Sequence, residues 1–143
     1  MPVEKSAGVI IFRKKNHENL FLLLHYEGGH WGFPKGHIEE GETIKETAIR
    51  EAKEETTITD LNFKEGFKEW IKYFYKREGK KFFKIVTYFL AETKQEEVEI
   101  SHEHVGYKWL PYEQALKQVT FDNAKQILKA AHQFLKKEES NSK

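Results

Sequence analysis

Seven glutamates fall within the 23 residues from Gly36 to Ile58, GHIEEGETIKETAIREAKEETTI, and their phase restricts what the chain can build around them. Thr43 followed by Glu46 is a capping-box start, in which each side chain satisfies the other's backbone N–H. A helix is therefore predicted from Ile44 to Thr56. At roughly 100° per residue, Ile44, Ala48 and Ala52 make one narrow apolar stripe. Glu55 falls inside that stripe, and Glu51 and Glu54 flank it on one side. A solvated acidic helix, the plain alternative, would turn its charges away from the core, as Lys53 and Glu46 do here. Instead three carboxylates stand at i, i+3 and i+4, where like charges repel by roughly 0.2–0.5 kcal/mol per pair even when exposed. A compensating cation is implied. Hard divalent ions take oxygen ligands, and Mg2+ binds through a few carboxylates together with substrate phosphates.

The remaining sequence reads as one α+β domain over residues 1–136, followed by a polar tail at 137–143 that is predicted to be disordered. Residues 5–14 form a strand whose continuous apolar centre, Val9 to Phe12, is expected to be buried on both sides. Leu20 to His25 gives a second strand. In His30-Trp31-Gly32-Phe33-Pro34-Lys35-Gly36, Pro34 holds Phe33 extended, while Gly32 and Gly36 permit close approach of backbone to a ligand; a merely rigid loop is the alternative. Leu61 to Lys76 and Phe82 to Ala91 are β-rich runs joined by a hairpin around Arg77-Glu78-Gly79-Lys80. Lys84 shares a strand face with Phe82, Val86, Tyr88 and Leu90, and is read either as a snorkelling lysine or as a phosphate contact. The hairpin-tip cations Lys76, Arg77, Lys80 and Lys81 read as solvated. Tyr107 to Pro111 is a short strand, Tyr112 to Gln118 a small helix, and Phe121 to Leu135 a longer one.

Lys plus Arg (24) nearly balances Asp plus Glu (23), so no whole-chain field points to DNA or a membrane. With no cysteine, disulfides and thiolate metal sites are excluded, and a cytoplasmic monomer without a signal sequence is the expectation. His102-Glu103-His104 invites a zinc reading, but in an extended segment neighbouring side chains alternate in direction and do not converge on one ion.

Gly36, Glu42, Arg50, Glu51, Ala52, Glu54, Glu55 and Ile58 resemble the Nudix box, G-x5-E-x7-R-E-U-x-E-E-x-G-U with U apolar. Thr57 stands where that box usually has glycine, at a cost on the order of 1 kcal/mol if the residue is left-handed. The resemblance implies a Nudix fold, α/β in class, with a mixed sheet between helices. Beyond the box, segments such as HWGFPKGHIEEGE at 30–42 and SHEHVGYKWL at 101–110 resemble the asymmetric diadenosine tetraphosphate (Ap4A) hydrolase branch of the family, whose members form ATP and AMP. It further implies metal ligands at Glu51, Glu54, Glu55, Glu103 and the Gly36 carbonyl, with Mg2+, or Mn2+ or another divalent cation in its place. Arg50 and Glu42 are implied to pair and orient Glu51; Glu55 is the expected general base, with Glu103 the alternative. Phosphate contacts are implied at His30, Lys35 and Lys84, and adenine stacking at Tyr73 and Phe121, although Phe121 also reads as a hydrophobic staple of the last helix. The expected partner is a small dinucleoside polyphosphate. RNA 5′ ends or diphosphoinositol phosphates are the alternative substrates, and a non-catalytic nucleotide sensor the alternative class.

Overall fold

The computed structural model describes residues 1–141. In chain order it contains β1 (Val3–Lys15), β2 (Glu18–Tyr26), β3 (Trp31–Gly32), β4 (Lys35–His37), α1 (Ile44–Thr56), β5 (Asn62–Phe63), β6 (Glu69–Arg77), β7 (Lys80–Glu92), β8 (His104–Pro111), α2 (Tyr112–Gln118) and α3 (Asp122–Asn141). The strands form one eight-stranded mixed sheet with β1 as its axis. On one edge β1 pairs in parallel with β7, and on the other antiparallel with β2 and β4. β8 and β3 extend the sheet beyond β2, while β5 and β6 pair with opposite ends of β7.

The apolar run in β1 serves two cores because successive side chains point to opposite faces. Ile10 and Phe12 join Phe21, Leu23 and Leu90 under α2 and α3, whose Ala115, Ile127, Leu128 and Ala131 close that layer. Val9 and Ile11 join Leu22 and Leu24 beneath Ala48 and Ala52 of α1. The mixed sheet thus lies between helices, as the sequence pattern and the resemblance imply.

Three boundaries differ from the sequence reading. The β-rich run from Leu61 to Lys76 is divided into β5 and β6 by a turn that contains Gly66 at φ +95°. β8 starts at His104 rather than Tyr107, because its pairing with β2 continues to His104 opposite Tyr26. The tail expected to be disordered from 137 instead continues α3 to Asn141, while residues 142–143 lie outside the described range. Leu135 is buried and Glu138 pairs with Lys64 at 2.9 Å, and Lys and Glu sustain the helix between them. No described helix is long and apolar enough to cross a membrane.

α1 has the predicted bounds and cap: Thr43 Oγ1 accepts the Glu46 N–H at 3.1 Å, and Glu46 Oε1 accepts the Thr43 N–H at 2.8 Å. Its other end stops at Thr57, left-handed at φ 64°, whose N–H donates to the Lys53 carbonyl at 2.9 Å. The helix therefore ends by the glycine route with a β-branched residue in place, which costs about 1–2 kcal/mol. Thr57→Gly is expected to raise the melting temperature by about 2–4 °C, since relief of about 1 kcal/mol has that effect at this chain length. Thermal melts of the two proteins check this, and a lower melting temperature for the variant would contradict it.

Candidate active site

Arg50 ties the acidic stretch together. Its Nε and Nη2 donate to the two Glu42 carboxylate oxygens at 2.7 and 3.1 Å, and Nη1 donates to Glu51 Oε1 at 2.8 Å. Nη2 also reaches the His37 carbonyl at 3.0 Å, and Nη1 reaches Glu54 at 3.3 Å. One planar fork thereby fixes the turn before α1, strand β4 and two carboxylates of α1. The Arg50 hydrogen bond is the main reason that the Glu42 carboxyl is lowered to about 2; the Glu39 N–H and Thr47 hydroxyl, at 3.0 and 2.8 Å, add to it.

Glu51 presses on β4 so closely that a Cβ at Gly36 would lie 2.1 Å from its carboxyl carbon. Glycine at 36 is required by this contact, whereas a Cβ at Gly32 would meet only Tyr26 at an ordinary 3.7 Å. Glu55, 4% exposed, accepts the Lys35 N–H at 2.9 Å and lies 3.2 Å from His104 Nε2, off the line of a hydrogen bond. Burial raises its pKa against the opposing effects of His104 and the Lys35 amide, and the nearby Glu103 charge raises it further. Glu51 is pushed up to about 7 by burial first and then by the charge of Glu55, with Arg50 opposing.

Among the described residues, no three acidic or imidazole side chains already converge as a ligand set. The donor chemistry nevertheless fits a hard divalent cation. Burial raises the proton affinity of both Glu51 and Glu55, the Glu55 charge raises that of Glu51 further, and a cation held between them would oppose these effects.

On the other side of Lys35 opens a cavity of about 430 Å³. Tyr26, Phe33, Tyr88 and Ile71 contribute to its apolar lining, and His30, Lys35, Tyr73 and Phe121 line it together with the start of α3 at Asp122 to Ala124. Tyr26 and His30 stack at 4.5 Å with 8° between planes, held in place by the Tyr26 hydroxyl, which donates to the Phe33 carbonyl at 2.7 Å. Phe121 remains 56% exposed with its ring 5.2 Å from that of His30, so it faces the cavity mouth. Burial lowers the pKa of the Lys35 ammonium, and Glu55 and Glu51 counter it. Lys84, half-buried and directly opposite Tyr73 across the β6–β7 pair, is lowered by burial and then by the Lys35 charge.

Comparison with known proteins decides what this arrangement belongs to: the NUDIX domain pattern matches residues 2–130. The chain belongs to the Nudix family. The mouse bis(5′-nucleosyl)-tetraphosphatase [asymmetrical] is 41% identical over 143 residues, covering 92% of this chain and 95% of that protein. The crystal structure of a C. elegans Ap4A hydrolase binary complex superposes with a TM-score of 0.82 at 38% identity, covering 92% of this chain and 97% of that one. An RNA pyrophosphohydrolase of Nitratiruptor is 33% identical over 117 residues, covering 76% of this chain and 75% of that protein.

The structure collects Gly36, Glu42, Arg50, Glu51, Glu54 and Glu55 of the Nudix box in one cluster and places His30, Lys35, Tyr73 and Phe121 around one cavity. Lys84 stands beside that cavity, and Glu103 lies exposed at the rim, near enough to Glu55 for its charge to be felt. Sequence reasoning missed Tyr26, Tyr88 and His104. It treated 101–104 as extended, but the His104 N–H closes a turn onto the Ser101 carbonyl at 3.0 Å, leaving His102 exposed and His104 buried against Glu55.

The raised Glu51 pKa has a linkage consequence for metal-free protein. The folded state holds its proton up to about 7, whereas the unfolded chain releases it near 4.5, so the folded state binds more protons in that window. Its contribution to stability therefore falls as pH rises from about 4.5 to about 7. In EDTA, Glu51→Gln is expected to match the wild type near pH 4.5 and to melt increasingly above it as pH approaches and passes 7. Melting curves across that range check the sign; a difference that shrinks with pH would overturn it.

Proposed function

We propose that this chain hydrolyses bis(5′-nucleosyl) tetraphosphates asymmetrically, converting Ap4A to ATP and AMP, as a cytoplasmic monomer. The observation that carries this reading is the position of Lys35, whose backbone N–H binds Glu55 while its side chain lines the aromatic cavity. A nucleoside in the cavity therefore brings its polyphosphate to the carboxylates by way of one ammonium. The similarity to proteins named as asymmetric tetraphosphatases supports the same substrate class.

Gly36, through its carbonyl, with Glu51, Glu54, Glu55 and Glu103, would hold Mg2+ or Mn2+. When bound, such an ion neutralises phosphate charge and lowers the pKa of water. Arg50, paired with Glu42, positions Glu51. Lys35, Lys84 and His30 receive the phosphate chain, and Tyr73 and Phe121 stack on the adenine. Water attacks phosphorus and passes a proton to Glu55, while the bridging P–O bond breaks and its electron pair leaves with the departing phosphate. Burial raises the Glu55 pKa and a bound cation would depress it, so Glu55 serves as the base in the state where the other ligands hold the ion.

The test is a product assay with Mg2+ on Ap4A, dNTPs and 5′-triphosphate RNA, the last covering the alternative RNA reading. ATP plus AMP from Ap4A is the expected result, and two ADP would overturn the asymmetric assignment. Glu55→Gln is expected to lower kcat by at least about 10²-fold. Tyr73→Ala and Phe121→Ala should each lower kcat/KM for Ap4A by roughly 5- to 150-fold, corresponding to about 1–3 kcal/mol of lost stacking. A lower melting temperature with unchanged kinetics for Phe121→Ala would make that ring a staple of α3 instead.

A further inference from the structure

The face of the β6–β7 hairpin turned away from the cavity is unusual in what it leaves uncovered. Pairing register puts Trp70 and Phe74 on this face with Phe83, opposite to the side that carries Tyr73. Trp70 is 56% exposed and Phe74 65%, and the Phe74 and Phe83 rings lie 5.0 Å apart. Exposed aromatics grouped on one surface mark an interaction site more often than chance exposure does. The same register brings Lys72, Lys76 and Lys81 to this face, and the parallel pairing of β1 with β7 adds Lys5. Among the described residues these three strands give the face no Asp or Glu from Val3 to Thr87.

Trp70 and Phe74 are four residues apart on one strand, so their Cα atoms are spaced by about 13–14 Å, with Lys72 between them. Flat stacking surfaces that alternate with cations fit a chain that alternates flat bases with phosphates. Two other occupants fit less well. A second copy docked by two-fold symmetry would set four lysines against four. A lipid surface would accept the same rings and cations but makes no use of their alternation along one strand.

We propose that this face binds single-stranded nucleic acid, with bases stacked on Trp70 and on the Phe74–Phe83 pair and phosphates on the interleaved lysines. The site lies on the α1 side of the sheet, across Thr87 and Ala7 from Gly36, and does not depend on the reading of the cleft's substrate.

The test is fluorescence anisotropy with a labelled 12-nucleotide single-stranded RNA bearing a 5′-hydroxyl, so that the cleft has no polyphosphate to engage. A duplex of equal length and phosphatidylserine vesicles serve as comparisons. Expected is salt-sensitive binding to the single strand, weakened at least about tenfold by Trp70→Ala or Phe74→Ala and largely kept by Trp70→Phe. The double variant K72A/K76A should reduce the salt slope by about 1.4, since each phosphate contact on a single strand contributes about 0.7. Melting temperature and Ap4A turnover should stay at wild-type values in all four. Absence of wild-type binding, or binding unaffected by both aromatic truncations, overturns the proposal. So does a preference for vesicles, which would assign the face to lipid, or a concentration-dependent dimer abolished by Phe74→Ala, which would assign it to a second copy.

Discussion

The arrangement of the acidic site depends on the Arg50 fork. Charge-assisted bonds to ionised partners are worth roughly 1.5–3 kcal/mol each, about twice a neutral hydrogen bond. Arg50 makes such bonds to Glu42 in bidentate form and to Glu51 at 2.8 Å. Its role differs between the two. Glu42, lowered to about 2, is a permanent counter-charge that fixes the guanidinium plane. Glu51 is steered by that plane yet kept at about 7 by burial and by Glu55, so it retains a demand for a further cation. A lysine would supply the charge without the two-pronged geometry, and the turn, the strand and the helix would no longer be indexed to one another.

The sheet turns this local order into a site because β1 is shared by everything around it. β4 pairs with residues Ser6 to Gly8 of β1, which places Gly36 beneath Glu51 and the Lys35 amide on Glu55. β7 runs parallel to β1 on the other edge and presents Lys84 and Tyr88 on the cavity side. Carboxylates from a helix on one side of the sheet and aromatics from the other thus meet at the β4 edge.

Much of this was legible in the sequence where short-range rules apply. The capping box set the start of α1, and helical phase identified Glu55 as the carboxylate turned inward. Period-two and continuous apolar runs located β1, β2 and β7. The residues that were missed depend on long-range register. Tyr26 lines the cavity at the end of β2, where a β-bulge breaks the regular pairing with β8, and His104 reaches Glu55 through the turn that begins at Ser101. Whole-chain charge balance is silent on local sorting for a related reason. Counting 24 basic against 23 acidic residues gives no basic surface, but strand alternation sorts Lys72, Lys76 and Lys81 to one face of the hairpin and leaves Glu69 and Glu4 on the other.

The two local violations in α1 have opposite physical characters. Thr57 in the left-handed region is a backbone cost with a ready remedy in glycine, and the chain carries it at a loop exit whose hydrogen bond to Lys53 is intact. Glu55 is an electrostatic cost with no remedy inside the protein, for His104 and the Lys35 amide offset only part of its burial. A strain that simple substitution relieves is compatible with drift, because the cap geometry survives it. A buried carboxyl beside a second one of raised pKa is relieved either by a proton or by a cation. The raised pKa values of Glu55 and Glu51 therefore mark the functional site more directly than any count of acidic residues, and they do so at the point where the aromatic cavity opens.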